Sequence, residues 1–340
     1  MRMARPIGIL YEHPEWFSPL FAELDRRDLP YERIAAHEHR FDPSARSSPY
    51  SLVVNRVSPS SYLRGHTSAI FHAQQYLAHL EAIGVPLVNG SRAHAFETSK
   101  ARQLTLLAAL DLPHPRSQVV NHVAQIEAAA AELSFPIIVK PNVGGSGALM
   151  RRLATPAELS HALVNGELAG ALGLDHTAIV QEYHPPRDGS IVRVEALDGR
   201  FLYAIRIYSD PTEGFNLCPA DICQVPDAGQ PSASTAPDGF DFCPADVPAR
   251  TSMRAEVVEP PAHVIASVLR IFRAAEIDVG GVEYLESERD GELYFYDVNA
   301  LSNFVTDAPT LLGFDPFERF VDYLERRAGL AARSLAAVGS

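Results

Sequence analysis

Lysine is nearly absent from this chain. Of 29 basic residues in 340, all but Lys100 and Lys140 are arginine. Arginine-rich codon usage accounts for the bias as a whole. It still singles out two positions, because ammonium and guanidinium groups are not interchangeable at a phosphate. Cysteine is scarce as well. Three residues, Cys218, Cys223 and Cys243, exclude a disulfide scaffold. Widely spaced and without a clear fourth ligand, they also make a poor tetrahedral zinc site. No stretch approaches the roughly 18 apolar residues of a membrane helix, and the apolar run within 1–11 is too short for a signal-peptide core. A cytoplasmic location follows as the expectation. The formal charge of -13 argues against nucleic acid as the partner. What the chain does have is 46% hydrophobic residues and a mean hydropathy of -0.04, enough to bury the cores of two or three structural units.

The pattern along the chain is α/β. Residues 7–11 (IGILY), 31–34, 51–55 (SLVVN) and 85–89 (VPLVN) read as strands, alternating with helices over 15–28 and 66–82, which predicts an N-terminal parallel-sheet unit over 1–90. Ligands sit beyond the carboxyl ends of such strands. Glu12 to Trp16 and Asn55 to Ser58 occupy those ends, with His13 and Arg56 either touching substrate or serving as loop residues. No GxGxxG follows the first strand, so a dinucleotide site is not expected. A central lobe over 91–180 is predicted to hold helices at 91–110, 122–134 and 156–171 and strands at 135–141 and 177–183. A C-terminal lobe over 181–330 is predicted to hold strands at 190–197, 200–208, 279–286 and 292–299 and helices at 261–275 and 315–328. It is interrupted by a Pro/Ala/Ser/Gly-rich insert near 226–252. The near-repeats GFNLCPAD (214–221) and GFDFCPAD (239–246) flank that insert and read as a local duplication.

Two groupings carry chemistry. Lys140 ends a strand and is followed by Gly144, Gly145, Ser146 and Gly147, a point charge beside small-residue amides able to fold over a phosphate. Such a Gly-rich turn is also common in hairpins. Glu283, Asp297 and Asn299 lie on two strands predicted to pair, Asp297 and Asn299 sharing one face. Two carboxylates and an amide oxygen suit Mg²⁺, whose hard oxygen ligands are usually shared with nucleotide phosphates. The competing reading is a solvated strand face, which the apolar Val282, Tyr284, Phe295 and Val298 make less attractive.

In order and spacing, VNGSRAHAFETSKARQLTLLAALDLPHP (88–115), FPIIVKPNVGGSG (135–147), VQEY (180–183), GGVEYLES (280–287) and YDVNALSNF (296–304) resemble the ATP-grasp superfamily. The likeness is nearest to the ribosomal-protein glutamate ligase and glutathione synthetase branch of carboxylate–amine ligases. The resemblance implies a two-lobed α+β ATP-grasp unit after the N-terminal domain, with ATP and two Mg²⁺ ions as cofactors and Mn²⁺ as the substitute metal. It implies phosphate contacts from Lys100 and Lys140 under the 143–148 loop, and adenine held by Gln181, Glu182 and Tyr183. It further implies metal at Glu283, Asp297 and Asn299, and catalytic roles for Arg206, Arg193 and Asn216. Three departures stand out. Ile191 replaces an aspartate two residues before Arg193, leaving ribose to Glu182 or Asp188. Asp297 replaces a glutamate, and LCPADIC follows Asn216 where a basic Gly-rich stretch is usual. The implied activity is ATP-dependent amide formation through an acyl-phosphate, on small carboxylate and amine substrates of amino-acid or peptide-like type. A homo-oligomer is compatible with the sequence. The alternatives are a nucleotide-binding regulatory protein on the same fold, or an enzyme making an ester, thioester or acyl-phosphate.

Overall fold

The computed structural model describes residues 5–145, 149–208, 254–305 and 308–329. Ser146, Gly147, Asn216, the three cysteines, the insert and both copies of the repeat lie outside those residues.

The first unit is a parallel four-stranded sheet: β1 (Ile7–Tyr11), β2 (Tyr31–Ala35), β3 (Leu52–Arg56) and β4 (Leu87–Val88), in the order β2-β1-β3-β4. Its inner strands are apolar up to Asn55 and Arg56 at the end of β3, because both faces are covered. Ile7, Ile9, Leu52 and Val54 pack against the helix Ser18–Arg26 and the C-terminal helix Pro316–Arg327, whereas Leu10, Ile34 and Val53 pack against Thr67–Ala82.

The second sheet is antiparallel: β5 (Ser117–Val120), β6 (Ile137–Pro141), β7 (Arg151–Leu153) and β8 (Ala178–Glu182), in the order β5-β8-β6-β7. Helices Ile126–Ala130 and Pro156–Val164 cover one face. The third sheet is also antiparallel: β9 (Ser190–Leu197), β10 (Arg200–Tyr208), β11 (Arg254–Val257), β12 (Val279–Glu286) and β13 (Leu293–Asn299), ordered β11-β10-β9-β12-β13. A turn at Asp198-Gly199 joins β9 to β10, both residues having positive φ.

Three elements differ from the sequence expectation. The Pro-punctuated stretch 112–117 leads directly into β5, an edge strand that pairs with β8. The expected helix 122–134 shortens to a turn of 3-10 helix and Ile126–Ala130, and its tail turns back so that the Ser134 amide donates to Glu182 Oε1 at 2.8 Å. The expected helix 91–110 splits into Ser91–Glu97 and Lys100–Ala109, because Ser99 takes extended backbone and its Oγ accepts the Arg102 amide as an N-cap. Both pieces pack through Ala93, Leu106 and Leu107 on the face of the third sheet that Ala262–Ala275 covers. Although the sequence reading grouped them with the central lobe, their apolar stripe is buried on the C-terminal sheet.

The first unit docks on the third sheet through Asn89, which is buried with φ at 53°. Its Nδ2 donates to the carbonyls of Val279 (2.7 Å) and Ala300 (2.5 Å), and its Oδ1 accepts the amides of Asp278 (2.7 Å) and Val279 (3.2 Å). Removing four buried bonds at once leaves main-chain groups without partners. Asn89→Ala is expected to lower stability by about 2–4 kcal/mol, read from the urea midpoint. An unchanged midpoint would show that the two units dock without it.

Candidate functional site

The open faces of the second and third sheets look at each other across a cleft of about 260 Å³, and the first unit closes one end of it. Period-two alternation places Ile138, Lys140 and Gln181 on the upper wall, and Ile191, Arg193, Ile205, Glu283 and Leu285 on the lower. At the end near the first unit stand Trp16, Ser58, Pro59, Ser60, Leu301 and Asn303.

The lower wall is organised in rows. Register aligns Arg193, Glu283 and Asp297 across β9, β12 and β13; the next row is Glu195, Gly281 and Asn299. A β-bulge opposite Glu283 adds Tyr296 to the same wall, and its hydroxyl donates to Glu283 Oε2 at 2.8 Å. Arg193 spans the rows, Nη1 donating to Glu283 Oε1 at 3.1 Å and Nε to Glu195 Oε1 at 2.6 Å. Gly281 lies beneath this bridge. A Cβ there would come within 2.7 Å of Glu195 Oε1 and 2.8 Å of Arg193 Nε, so the position has room only for glycine.

Lys100 opens its helix, where the helix dipole disfavours a cation. Its ammonium instead donates to Asp297. Burial works against that charge, yet Asp297, with Glu97 and Glu283 behind it, outweighs burial and holds the Lys100 pKa above the usual lysine value. Asp297 is correspondingly lowered: burial opposes its charge, and Lys100 beside it prevails. Glu283 moves the other way, raised by burial and by Asp297. The two lysines are tied together by Asn142. Its carbonyl accepts the Lys100 amide (3.1 Å), its Oδ1 accepts the Ala101 amide (2.8 Å) and the Ser99 hydroxyl (3.1 Å), and its Nδ2 donates to Asp175 (2.6 Å). The helix bearing Lys100 is thereby fastened two residues after Lys140. Lys140 itself is buried and donates to Gln181 Oε1 at 2.9 Å, and Gln181 Nε2 donates to Ser117 Oγ at 2.9 Å.

The cleft thus gathers Lys100, Lys140, Gly144, Gly145, Gln181, Glu182, Tyr183, Arg193, Glu283, Asp297 and Asn299. Gly145 seats against Ser60 of the first unit, where a Cβ would meet the serine Cβ at 3.1 Å. Other expected residues fall elsewhere. Arg206 is opposite Val192 on β10, one residue out of step with Ile205, which faces Arg193. Its side chain therefore leaves the other face of the sheet, with Nη1 donating to Ser190 Oγ at 3.3 Å, and it does not line the cleft. Asp188 is exposed and also outside the lining, whereas Glu182, the other candidate for ribose, lines it. Arg56 is fully buried between Phe17 and Phe320 and donates to the Ser302 carbonyl, so it props the 301–305 segment from behind. His13 stacks on Trp16 at 4.8 Å between ring centroids, and the Arg64 guanidinium lies 4.6 Å from the Trp16 ring.

Among the lining residues, sequence reasoning gave Glu97, Glu195 and His184 no part in a site, and it placed Trp16 only at a strand end. Glu97 is buried, accepts the Ala300 and Leu301 amides, and is pushed up to about 7 by burial. Glu195 lies two residues after Arg193, a spacing that alternation alone would have flagged. His184 stacks against Tyr294 at 4.0 Å and shares a 3.1 Å hydrogen bond with Ser287 Oγ, placing an aromatic ring beside the 181–183 segment. Trp16 forms the end wall.

The donor set fits magnesium. Among the described residues no three His, Cys, Asp or Glu side chains converge as a metal centre; Glu283 and Asp297 offer two carboxylates and Asn299 an amide oxygen, hard donors of the type magnesium takes. Asn299 Nδ2 is buried without a hydrogen-bond partner among the described residues, which leaves its amide oriented only by what the cleft takes up.

Comparison with known proteins gives the fold directly. No family model matches the chain. The chain superposes on the ATP-grasp ligase PsnB complexed with minimal precursor, Mg and ADP with a TM-score of 0.63 over 96% of this chain and 100% of that one, at 18% identity. It is 43% identical over 75 residues to the D-alanine–D-alanine ligase of Ectopseudomonas mendocina (strain ymp), covering 22% of this chain and 24% of that protein. Over 166 residues it is 28% identical to the formate-dependent phosphoribosylglycinamide formyltransferase of Synechococcus sp. (strain CC9902), covering 48% of this chain and 42% of that protein. The chain spans less than half the length of these two relatives. Among the described residues no helix is long and apolar enough to cross a membrane.

Burial, then repulsion from Lys100, pushes the Lys140 pKa down to about 8. The unfolded chain therefore holds more protons at this position between pH about 8 and the ordinary value of 10.5, and the folded state gains on it as pH rises through that window. The stability of the wild type relative to Lys140→Met is expected to increase from pH about 8 upward, measured by urea unfolding at each pH. Parallel curves for the two proteins would show that Lys140 titrates as an ordinary lysine.

Proposed function

Since the chain has the ATP-grasp ligase fold, we propose that it is an ATP- and Mg²⁺-dependent ligase that joins a carboxylate to an amine through an acyl-phosphate. The observation that carries this reading is the meeting of both lysines with the Arg193–Glu283–Asp297 row in one cleft. Lys100 and Lys140 approach from two different elements, as phosphate oxygens on neighbouring groups require, and the backbone at Gly144 and Gly145 leaves room for close approach. The apolar side chains Ile138, Ile191, Ile205 and Leu285 supply a slot between the sheets for a base, with Gln181, Glu182 and Tyr183 at its edge.

In the proposed reaction the substrate carboxylate oxygen attacks the γ-phosphorus in line and the bond to ADP breaks. The amine then attacks the acyl carbon, the bond to phosphate breaks, and an amine proton is lost. Magnesium held by Glu283, Asp297 and Asn299, when bound, neutralises phosphate charge. The chain's own part is positional and electrostatic. Lys100 exchanges Asp297 for phosphate, Lys140 is aimed by Gln181, and Arg193 offers a guanidinium fixed by two carboxylates to the oxygens that gain charge. Arg206 has no part in this centre, since its strand turns it to the opposite face. Tyr203 and Val305, joined by a 3.0 Å bond from the Val305 amide to the tyrosine oxygen, complete the wall beside Arg193.

A panel of carboxylic acids with ATP, Mg²⁺ and hydroxylamine tests the reading. One acid at least is expected to yield a hydroxamate together with ADP, and ATP binding without any hydroxamate would favour a nucleotide-binding protein instead. With that acid, Lys140→Ala is expected to lower kcat/KM for ATP by roughly 100-fold or more. Asp297→Asn is expected to raise the half-saturating Mg²⁺ concentration by roughly tenfold or more. A superimposable magnesium titration would remove Asp297 from the metal site.

A further inference from the structure

Glu195 is 1% exposed, and only half of its carboxylate is accounted for. Oε1 accepts Arg193 Nε at 2.6 Å; Oε2 is buried and takes no hydrogen bond from the described residues. A buried carboxylate oxygen without a donor is costly, and the cost is tolerated where a ligand supplies the donor. Glu195 lines the cleft, one row beyond the Arg193–Glu283–Asp297 row, on the side that runs into the 301–305 segment and the first unit. Gly281, between Glu195 and Asn299, lies beneath the Arg193–Glu195 pair. Asn303, which also lines this end, has its own acceptor, Oδ1, buried and unpartnered among the described residues.

Two unsatisfied acceptors, one of them a full negative charge, call for a donor-rich cation. We propose that Glu195 Oε2 and Asn303 Oδ1 form the subsite that receives the amine substrate as its primary ammonium, which gives one proton to Glu195 Oε2 before the nitrogen lone pair attacks the acyl carbon and loses the second on amide formation. Charge supports an ammonium over a hydroxyl or thiol. Arg193 is shared between Glu195 and Glu283, and the buried Arg56 that also acts on Glu195 makes no hydrogen bond to Oε2 among the described residues, so this oxygen has no charged donor of its own. A small cation with three N–H donors supplies one, and a neutral nucleophile donates less strongly. Position supports it too, because Arg193 links this carboxylate, through Oε1, to the row proposed for phosphoryl transfer. The ammonium subsite rests on the ligase reading and adds to it the side of the cleft from which the amine arrives.

The test is a competition. With the acid that gives hydroxamate, wild type and Glu195→Gln are each offered hydroxylamine, uncharged at pH 8, against an equimolar mixture of the twenty proteinogenic amino acids, whose amino groups are ammonium. Amide and hydroxamate are quantified by mass. The amide-to-hydroxamate ratio is expected to fall roughly tenfold or more in Glu195→Gln, as loss of a charge-assisted bond predicts. Asn303→Leu, which leaves the Arg193–Glu195 pair intact, is expected to lower the ratio in the same direction. A ratio that stays within about twofold of wild type in both variants overturns the subsite, whatever happens to the two rates, because a side chain that merely holds Arg193 slows both products together. Absence of hydroxamate from the wild type with every acid would instead overturn the ligase reading, and the subsite with it.

Discussion

The ion pair between Lys100 and Asp297 is the contact around which the cleft is built. It sets an ammonium at the start of a helix, where the helix dipole opposes it, beside a carboxylate that burial would otherwise push toward protonation. Each charge is kept by the other. The same pair leaves Lys140, a few residues away in space, as the cation that burial and repulsion weaken, and leaves Glu283 as the carboxylate that burial and Asp297 raise. With charges balanced this closely, each of these groups depends on the partner it now has.

Holding that balance in place is a matter of backbone connections as much as of charge. Asn142 ties the Lys100 helix to the Lys140 strand, and Glu97 ties the preceding helix to the amides that follow Asn299. Asn89 ties the first unit to the same stretch of chain. All three are side chains that satisfy main-chain groups at element ends, where sheets and helices leave donors and acceptors open. The chain just after β13 is therefore held by Glu97 and Asn89 from two sides, while Asn142 fixes the Lys100 helix that faces it.

The first unit gives the cleft its end wall. Glu12, buried after β1, accepts both Arg64 and His66, and Arg64 in turn lies over Trp16. That network positions Trp16 and the Ser58–Ser60 turn against Gly145. Most of the cleft is walled by two antiparallel sheets, while one end is built from the loops of a parallel sheet. Those loops can change without disturbing the sheet walls.

The sequence by itself determined the element types, the parallel character of the first sheet, and most of the phosphate and metal candidates. Short apolar runs between amphipathic helices specify a parallel sheet, and Lys140 before a Gly-rich stretch or Asp297 two residues before Asn299 are patterns of local spacing. Tertiary structure decided the rest. Arg206 and Arg193 look equivalent along the chain, yet pairing register turns one into the cleft and the other away. The helix over 91–110 breaks because Ser99 is held by Asn142, a residue more than forty positions on. Alternation puts Glu195 on the same face as Arg193, but only the pairing with β12 sets Gly281 beside it and leaves its second oxygen without a partner among the described residues. Periodicity says which face of its own strand a side chain takes, but which faces meet, and which charges are left without a partner, depends on contacts between residues far apart in the chain.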